Sequence, residues 1–428
     1  MSESPPDSYS QKTTLPNGLR ILTSAMPHTR SVALSIYVGA GSRYETPPES
    51  GISHFIEHVC FKGTRKRPTA QLISEAVDGV GGILNAATDR EFTVFYAKVA
   101  RPHLELALDV LIDLVQAPVF DPVEIEKERK VILEEIASIV DSPAQQVDLL
   151  LDQLVWPDQP LGWDIAGTRE SVEALTREGT LGYMGRQYVP SNTVVAVAGN
   201  VDHDEMTALI GSTLGQASKG SPGPWFPAIE AQESPRCSVL NKRTEQAHIA
   251  LSLRGLPMGH PDRFAIDLLS ILLGEGMSSR LFLELRERLG LCYDVHSYVS
   301  HFRDTGAFGV YAAVDPANGK QALSALLKEL SRLGDGIPEE ELNKARELAK
   351  GRMLLRMEDT RAVAGWMGGQ ELLTGRVDSP DDVVAKIDAV TCEDLARVVG
   401  NLLQRHHLNL AVVGPYRSER PFLSLLSL

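Results

Sequence analysis

The sequence predicts an α+β protein of two similar halves, each of mixed strands and helices, and three observations carry the prediction. Its 428 residues exceed one compact domain at the usual ~150 residues per domain. Alternating apolar runs give way repeatedly to runs of helical period. The order of those runs also recurs. HIALSLRGLPMG echoes SVALSIYVGAGS, GAFGVYAAVDPANGKQALSALLKELSRL echoes FTVFYAKVARPHLELALDVLIDLV, IPEEELNKARELAKGRML echoes DPVEIEKERKVILEEI, and LNLAVVGP echoes TVVAVAGN. The densest interior Pro/Gly/Ser stretch, QASKGSPGPWFPAIEAQESPR over 216–236, reads as the linker between halves 1–215 and 237–428.

Element by element, the polar, Pro/Ser-rich opening is expected to be a loose tail. A Pro-Asn-Gly turn in LPNGLRILTSA introduces the first strand, and SVALSIYVGAGSRY reads as a half-buried strand closed by glycines. Ser53 through Phe61 has helical spacing; a loop at GTRKRP and a second helix over TAQLISEAVDGVG follow. GGILNAATDREFTVFYAKVA reads as two strands joined by a polar turn, and HLELALDVLIDLVQA as a helix. DPVEIEKERKVILEEIASIV is a further helix, with Asp121 as N-cap and Pro122 in its first turn. VPSNTVVAVAGNV is a buried strand.

Composition narrows the function classes. Hydrophobic residues at 43% and charged residues at 23% are those of an ordinary soluble globular chain. With 42 Lys+Arg against 56 Asp+Glu the net charge is −14, which argues against nucleic-acid binding through phosphate neutralisation and favours a cationic substrate or partner. The four cysteines are scattered without a CxxC pair, so neither a disulfide framework nor a cysteine zinc knuckle is signalled, and a reducing compartment fits. No stretch reads as a secretory leader or a membrane span, so the expectation is a cytoplasmic protein with no membrane partner.

The chemistry concentrates in SHFIEHVCF. On a helix His54 and His58 lie one turn apart on one face, with Glu57 beside them, so both imidazoles can reach one metal ion. Zinc suits neutral imidazoles and an open fourth position for water, and an adjacent carboxylate can take that water's proton. This H-x-x-E-H order is the inverzincin signature. A third ligand belongs on another helix, and KERKVILEEI offers it. Glu128 and Glu135, seven residues apart, share a face, while Glu134 points about 100° away. Cys60, about 200° round from His58, reads as a small buried apolar residue, as does Cys292. The second half has FAIDLLSILLGEG where the first has its histidines, and so no ligand pair.

SGISHFIEHVCFKGT, GGILNAATDREFTVFYAKV and EIEKERKVILEEI together resemble the pitrilysin/insulinase-type zinc metallopeptidases, in particular the branch similar to the mitochondrial processing peptidase. The resemblance runs from LPNGLRIL to LNLAVVGP. It implies a Zn2+ endopeptidase that cuts peptides or short unfolded segments in a closed chamber. His54, His58 and Glu135 would be the ligands, with 76 residues between His58 and Glu135; Glu57 would be the general base and Glu128 a supporting carboxylate, leaving Glu134 as the competing third ligand. SSRLFLELRERLGLCYDV resembles the family's segment in which an arginine and a tyrosine, here Arg286 and Tyr293, reach the scissile carbonyl. In GGILNAAT the resemblance implies an exposed edge strand to which the substrate adds. Gly81 and Gly82 would permit close backbone approach, and Asn85 and Ala86 would flank the cut. Since one chain carries both the metal motif and the Arg/Tyr pair, a homodimer is expected; a heterodimer with a similar non-metal subunit and a non-catalytic scaffold are the alternatives.

Overall fold

The computed structural model describes residues 9–426. Two sheets organise it, each inside its own compact unit. The first has the order β1-β2-β6-β3-β5-β4, with β1 Gln11–Thr14, β2 Arg20–Ala25, β3 Ser31–Val38, β4 Ile83–Thr88, β5 Thr93–Ala100 and β6 Thr193–Gly199. Only β2 and β6 run parallel; the other neighbours are antiparallel. The second sheet has the order β7-β11-β8-β10-β9, from Arg236–Asn241 (β7), Ala247–Arg254 (β8), Cys292–His301 (β9), Gly306–Val314 (β10) and Asn409–Gly414 (β11). Its only parallel pair, β7 with β11, matches that of the first sheet, so the recurrence in the sequence reflects repeated topology.

Between β3 and β4 come helices α1, Ile52–Cys60, and α2, Ala70–Asp78; after β5 come α3, Leu104–Gln116, α4, Pro122–Asp141, and α5, Pro143–Val155. In β3 the period of two sends Val32, Leu34 and Ile36 to one face, where they join Phe55, Ile56 and Val59 of α1 and Leu108 and Leu111 of α3. Ala33 and Tyr37 go to the other face, against Val363, Ala364 and Met367 of the helix Thr360–Thr374. The half-buried strand expected at SVALSIYV is therefore covered on both faces, and every residue after Ser31 is buried. The covering helix comes from more than 300 positions downstream in the sequence, beyond the reach of local pattern. Gly368 permits its close approach, because a Cβ there would stand 2.5 Å from the Tyr37 ring.

The second sheet is covered in the reciprocal way. Val147, Leu151 and Val155 of α5 pack with Ala250, Tyr311, Ala313, Ala411 and Val413. One unit thus holds the described residues through Ile136 with Asp164–Phe226 and Leu354–Pro380, and the other holds Ala137–Trp163, Pro227–Met353 and the chain from Asp381 on. The units part at Phe226/Pro227, inside the 216–236 linker, but they differ from contiguous halves 1–215 and 237–428 by these two exchanged segments. Each half of the sequence supplies the helix that closes the other's sheet.

Candidate metal centre

Helix α1 starts at Gly51, whose φ of 89° is a left-handed conformation that glycine adopts without strain; a Cβ there would also lie 2.5 Å from the Ala166 carbonyl oxygen. No side chain at that N-cap accepts from the helix. Glu45, in the preceding loop and fully buried, does so instead: its Oε2 accepts the Gly51 N–H at 2.8 Å and its Oε1 the Ser53 N–H at 2.9 Å. Burial pushes this carboxyl up to about 7, partly opposed by those two N–H donors. Ile52, Phe55, Ile56, Val59 and Cys60 face the core, and that fixes the helix's rotation so that His54 and His58 share the opposite side.

Asp121 caps α4, accepting the Val123 N–H at 2.8 Å. Ile125, Glu128 and Ile132 are the buried residues of α4, and their spacing orients Glu135, one heptad after Glu128, toward α1. His54 Nε2 and His58 Nε2 stand 3.2 Å apart, and Glu135 Oε2 lies 3.7 Å from the first and 3.6 Å from the second. Ligands held tetrahedrally at about 2.0–2.1 Å from zinc stand about 3.4 Å from one another. The triangle therefore has the size of three tetrahedral corners, and two imidazoles with one carboxylate form the donor set of an open zinc site. Among the described residues, this is the cluster of His, Cys, Asp and Glu able to hold a metal ion. Glu135, not the adjacent Glu134, completes it.

The surroundings prepare these donors. Burial, and then the neighbouring His58, press the His54 imidazole down to about 4, so it is neutral and free to bind a cation. Its Nδ1 is buried with no hydrogen-bond partner among the described residues. His58 Nδ1 instead meets Glu128 Oε2 at 3.1 Å, and Lys62 Nζ holds Glu128 Oε1 at 2.5 Å. Glu57 lies within electrostatic reach of His58 and Glu135; burial raises its pKa, and the hydroxyl of Thr88, donating to Glu57 Oε2 at 2.5 Å, favours the ionised form. Lys62, Thr88 and Glu45 were missed by sequence reasoning. Lys62 had a signal, since it follows His58 by four residues.

GGILNAAT supplies β4, which pairs with β5 on one side and forms the edge of its sheet. Ala86 is buried on the face shared with Leu84 and Thr88, whereas Asn85 is exposed on the other and accepts the Ala86 N–H through Oδ1 at 2.8 Å. Gly82 also has a packing requirement. A Cβ there would stand 2.6 Å from Val77 Cγ1 and 2.8 Å from Val99 Cγ1, so its small size serves interior packing; Gly81, at φ 68°, has open space around it.

In the second unit, FLELRER is a π-helix over Phe282–Arg288 that leads into β9. Arg286 Nη1 donates to the Tyr293 carbonyl at 3.2 Å, and its guanidinium lies 4.6 Å from the centre of the Tyr293 ring. The structure brings this pair together and leaves the Tyr293 side chain in solvent, 76% exposed. Cys60 is buried as expected and its thiol is pushed up by burial, whereas Cys292 is only half-buried at the start of β9.

Comparison with known proteins agrees with the duplicated fold and one-sided chemistry. Residues 20–169 match the model of "Insulinase (Peptidase family M16)", and residues 174–348 that of "Peptidase M16 inactive domain". A Streptomyces coelicolor protein described as an uncharacterized zinc protease is 38% identical over 417 residues, 96% of this chain and 90% of the relative. The crystal structure of a protease from Helicobacter pylori superposes with a TM-score of 0.88 at 23% identity, covering 95% of this chain and 99% of that one. A Pseudomonas fluorescens structure described as a peptidase M16 inactive domain gives a TM-score of 0.89 at 18% identity, over 96% and 99% of the two chains. With one half bearing the histidine pair and the other lacking it, and with a relative matched almost end to end, the chain belongs to the insulinase family of peptidases, M16.

Proposed function

We propose that the protein is a zinc-dependent endopeptidase acting on extended peptides or short unfolded segments. The observation that carries this reading is the triangle of His54, His58 and Glu135, with sides of 3.2–3.7 Å, beside the Glu57 carboxylate. Zinc bound there would supply a Lewis acid that polarises the scissile carbonyl and acidifies water. Glu57 takes the proton of the attacking water on a carboxylate oxygen and returns it to the leaving amine. Glu128 accepts from His58 Nδ1–H and so keeps Nε2 as the ligand atom. The free edge of β4 receives the substrate as an added strand, bound through its main chain and so tolerant of sequence. The same reading gives Arg286 and Tyr293 the task of donating to the substrate carbonyl, and gives the active form as a homodimer that encloses the substrate.

No helix among the described residues is long and apolar enough to cross a membrane. The test is elemental analysis of the purified chain combined with cleavage of a fluorogenic peptide mixture. About one zinc per chain and hydrolysis that chelator removes and zinc restores are expected. Glu57→Gln should keep the metal and lose most turnover. Unchanged turnover in that variant overturns the base assignment, and full activity in a fraction of single-chain mass overturns the homodimer.

A further inference from the structure

The base and the substrate strand meet at one residue that the metal motif does not contain. Thr88 is the last residue of β4, and the strand's alternation places its side chain with Leu84 and Ala86 on the α1-facing side, opposite Asn85. Its hydroxyl has one proton to give. Thr93, directly across in register and 3.4 Å away oxygen to oxygen, spends its own proton on the Ala40 carbonyl at 2.9 Å. The Thr88 proton is directed to Glu57 Oε2, the closest acceptor, at 2.5 Å.

Glu57 needs such a partner, since a glutamate on a helix has three rotatable bonds and no fixed direction. The other described contacts of the site hold His58, through Glu128, whereas the Glu57 carboxylate is met by Thr88, through its hydroxyl and its backbone N–H. We propose that Thr88 is a positioning residue, which fixes the Glu57 carboxylate for proton transfer and ties its direction to the strand that receives the peptide. This rests on the zinc-peptidase reading. Peptide addition to the free edge of β4 bonds that strand's backbone, so bound substrate also steadies the hydroxyl that aims the base.

The experiment compares Thr88→Val, which keeps shape and removes the hydroxyl, with Thr88→Ser, which keeps the hydroxyl. Zinc content, steady-state kinetics on a fluorogenic peptide and crystal structures of the zinc-loaded proteins are measured. For Thr88→Val the expectation is zinc at the wild-type level, KM within about twofold, and kcat lower by about ten- to a hundredfold, the scale of a misplacement near 1 Å. Its crystal structure should show the Glu57 carboxylate displaced while His54, His58 and Glu135 keep their places. Thr88→Ser should restore most of kcat and the carboxylate position.

A Thr88→Val enzyme with wild-type kcat, or with Glu57 unmoved, overturns the inference. If Thr88→Val fails to fold or loses zinc, Thr88→Ala removes the hydroxyl with less bulk, and loss of zinc there too assigns Thr88 a structural role and overturns the inference as well. An inactive wild type that holds zinc refutes the functional reading instead, and the crystallographic comparison still decides whether Thr88 sets Glu57.

Discussion

Lys62→Met separates the charge behind the histidine from the histidine itself. Methionine keeps the apolar stem of Lys62 and deletes the ammonium that lies 2.5 Å from Glu128 Oε1. Glu128 is 5% exposed, so one carboxylate oxygen is left in a poorly solvated place without its cation. A hydrogen bond to a charged group contributes about 1.5–3 kcal/mol. The Lys62 side chain is 28% exposed, so water recovers part of the loss and the lower end applies. At about 1.36 kcal/mol per tenfold, ~1.5 kcal/mol weakens the grip of Glu128 on His58 Nδ1, and with it zinc binding, about tenfold. Competition against a chromophoric chelator measures this directly. In a Glu128→Gln background the same Lys62→Met change should cost no further affinity, because the ammonium acts only through that carboxylate. Zinc binding within twofold of wild type, or an undiminished effect in the Glu128→Gln background, refutes the chain Lys62–Glu128–His58.

Three further outcomes follow from the same contacts. Glu135→Gln should lower zinc occupancy at least a hundredfold in a chelator competition, whereas Glu134→Gln, which alters a side chain outside the triangle, should leave it unchanged. Glu45 has a folded pKa raised from 4.5 to about 7, so the folded chain holds its proton more tightly; the associated stability is complete below pH 4.5 and is lost as pH rises to about 7, up to about 3 kcal/mol. Urea titrations of wild type and Glu45→Gln should therefore differ in slope against pH over that window, and parallel curves would refute the assignment. Gly368→Ala should destabilise by about 1–3 kcal/mol through the Tyr37 ring. Gly369→Ala, where a Cβ meets nothing within 4 Å, should stabilise by about 0.5–1 kcal/mol, so thermal melts of the two variants should move in opposite directions.

Much of the fold was legible because its signals are local. His54 and His58 share a helix face by spacing alone, Asp121 and Pro122 announce the start of α4, and the echo of TVVAVAGN in LNLAVVGP foretold β6 and β11 as equivalent strands. What stayed hidden depends on segments far apart in sequence. No pattern within SVALSIYV can tell whether one or both faces are covered, since the answer lies in Val363, Ala364 and Met367. For the same reason no local pattern shows that the apolar stripe of α5, Val147, Leu151 and Val155, is filled by strands from beyond the linker.

The supporting shell of the site divides along the same line. Lys62 follows His58 by four residues, in the turn just past the end of α1, and so a search for charges near the motif finds it; Thr88 and Glu45 reach α1 from a strand and a loop, and only the fold joins them. That division has a chemical logic. A metal ligand must be a particular residue type in a particular phase, which leaves a motif, whereas a residue that caps a helix or aims a carboxylate needs only one donor or acceptor at the right place in space. Threonine and glutamate are common enough that such placement leaves no trace in spacing. The candidate metal ligands are therefore readable in one sequence, and the groups that hold their surroundings in place become readable only when β4 and the loop at Glu45 are seen against α1.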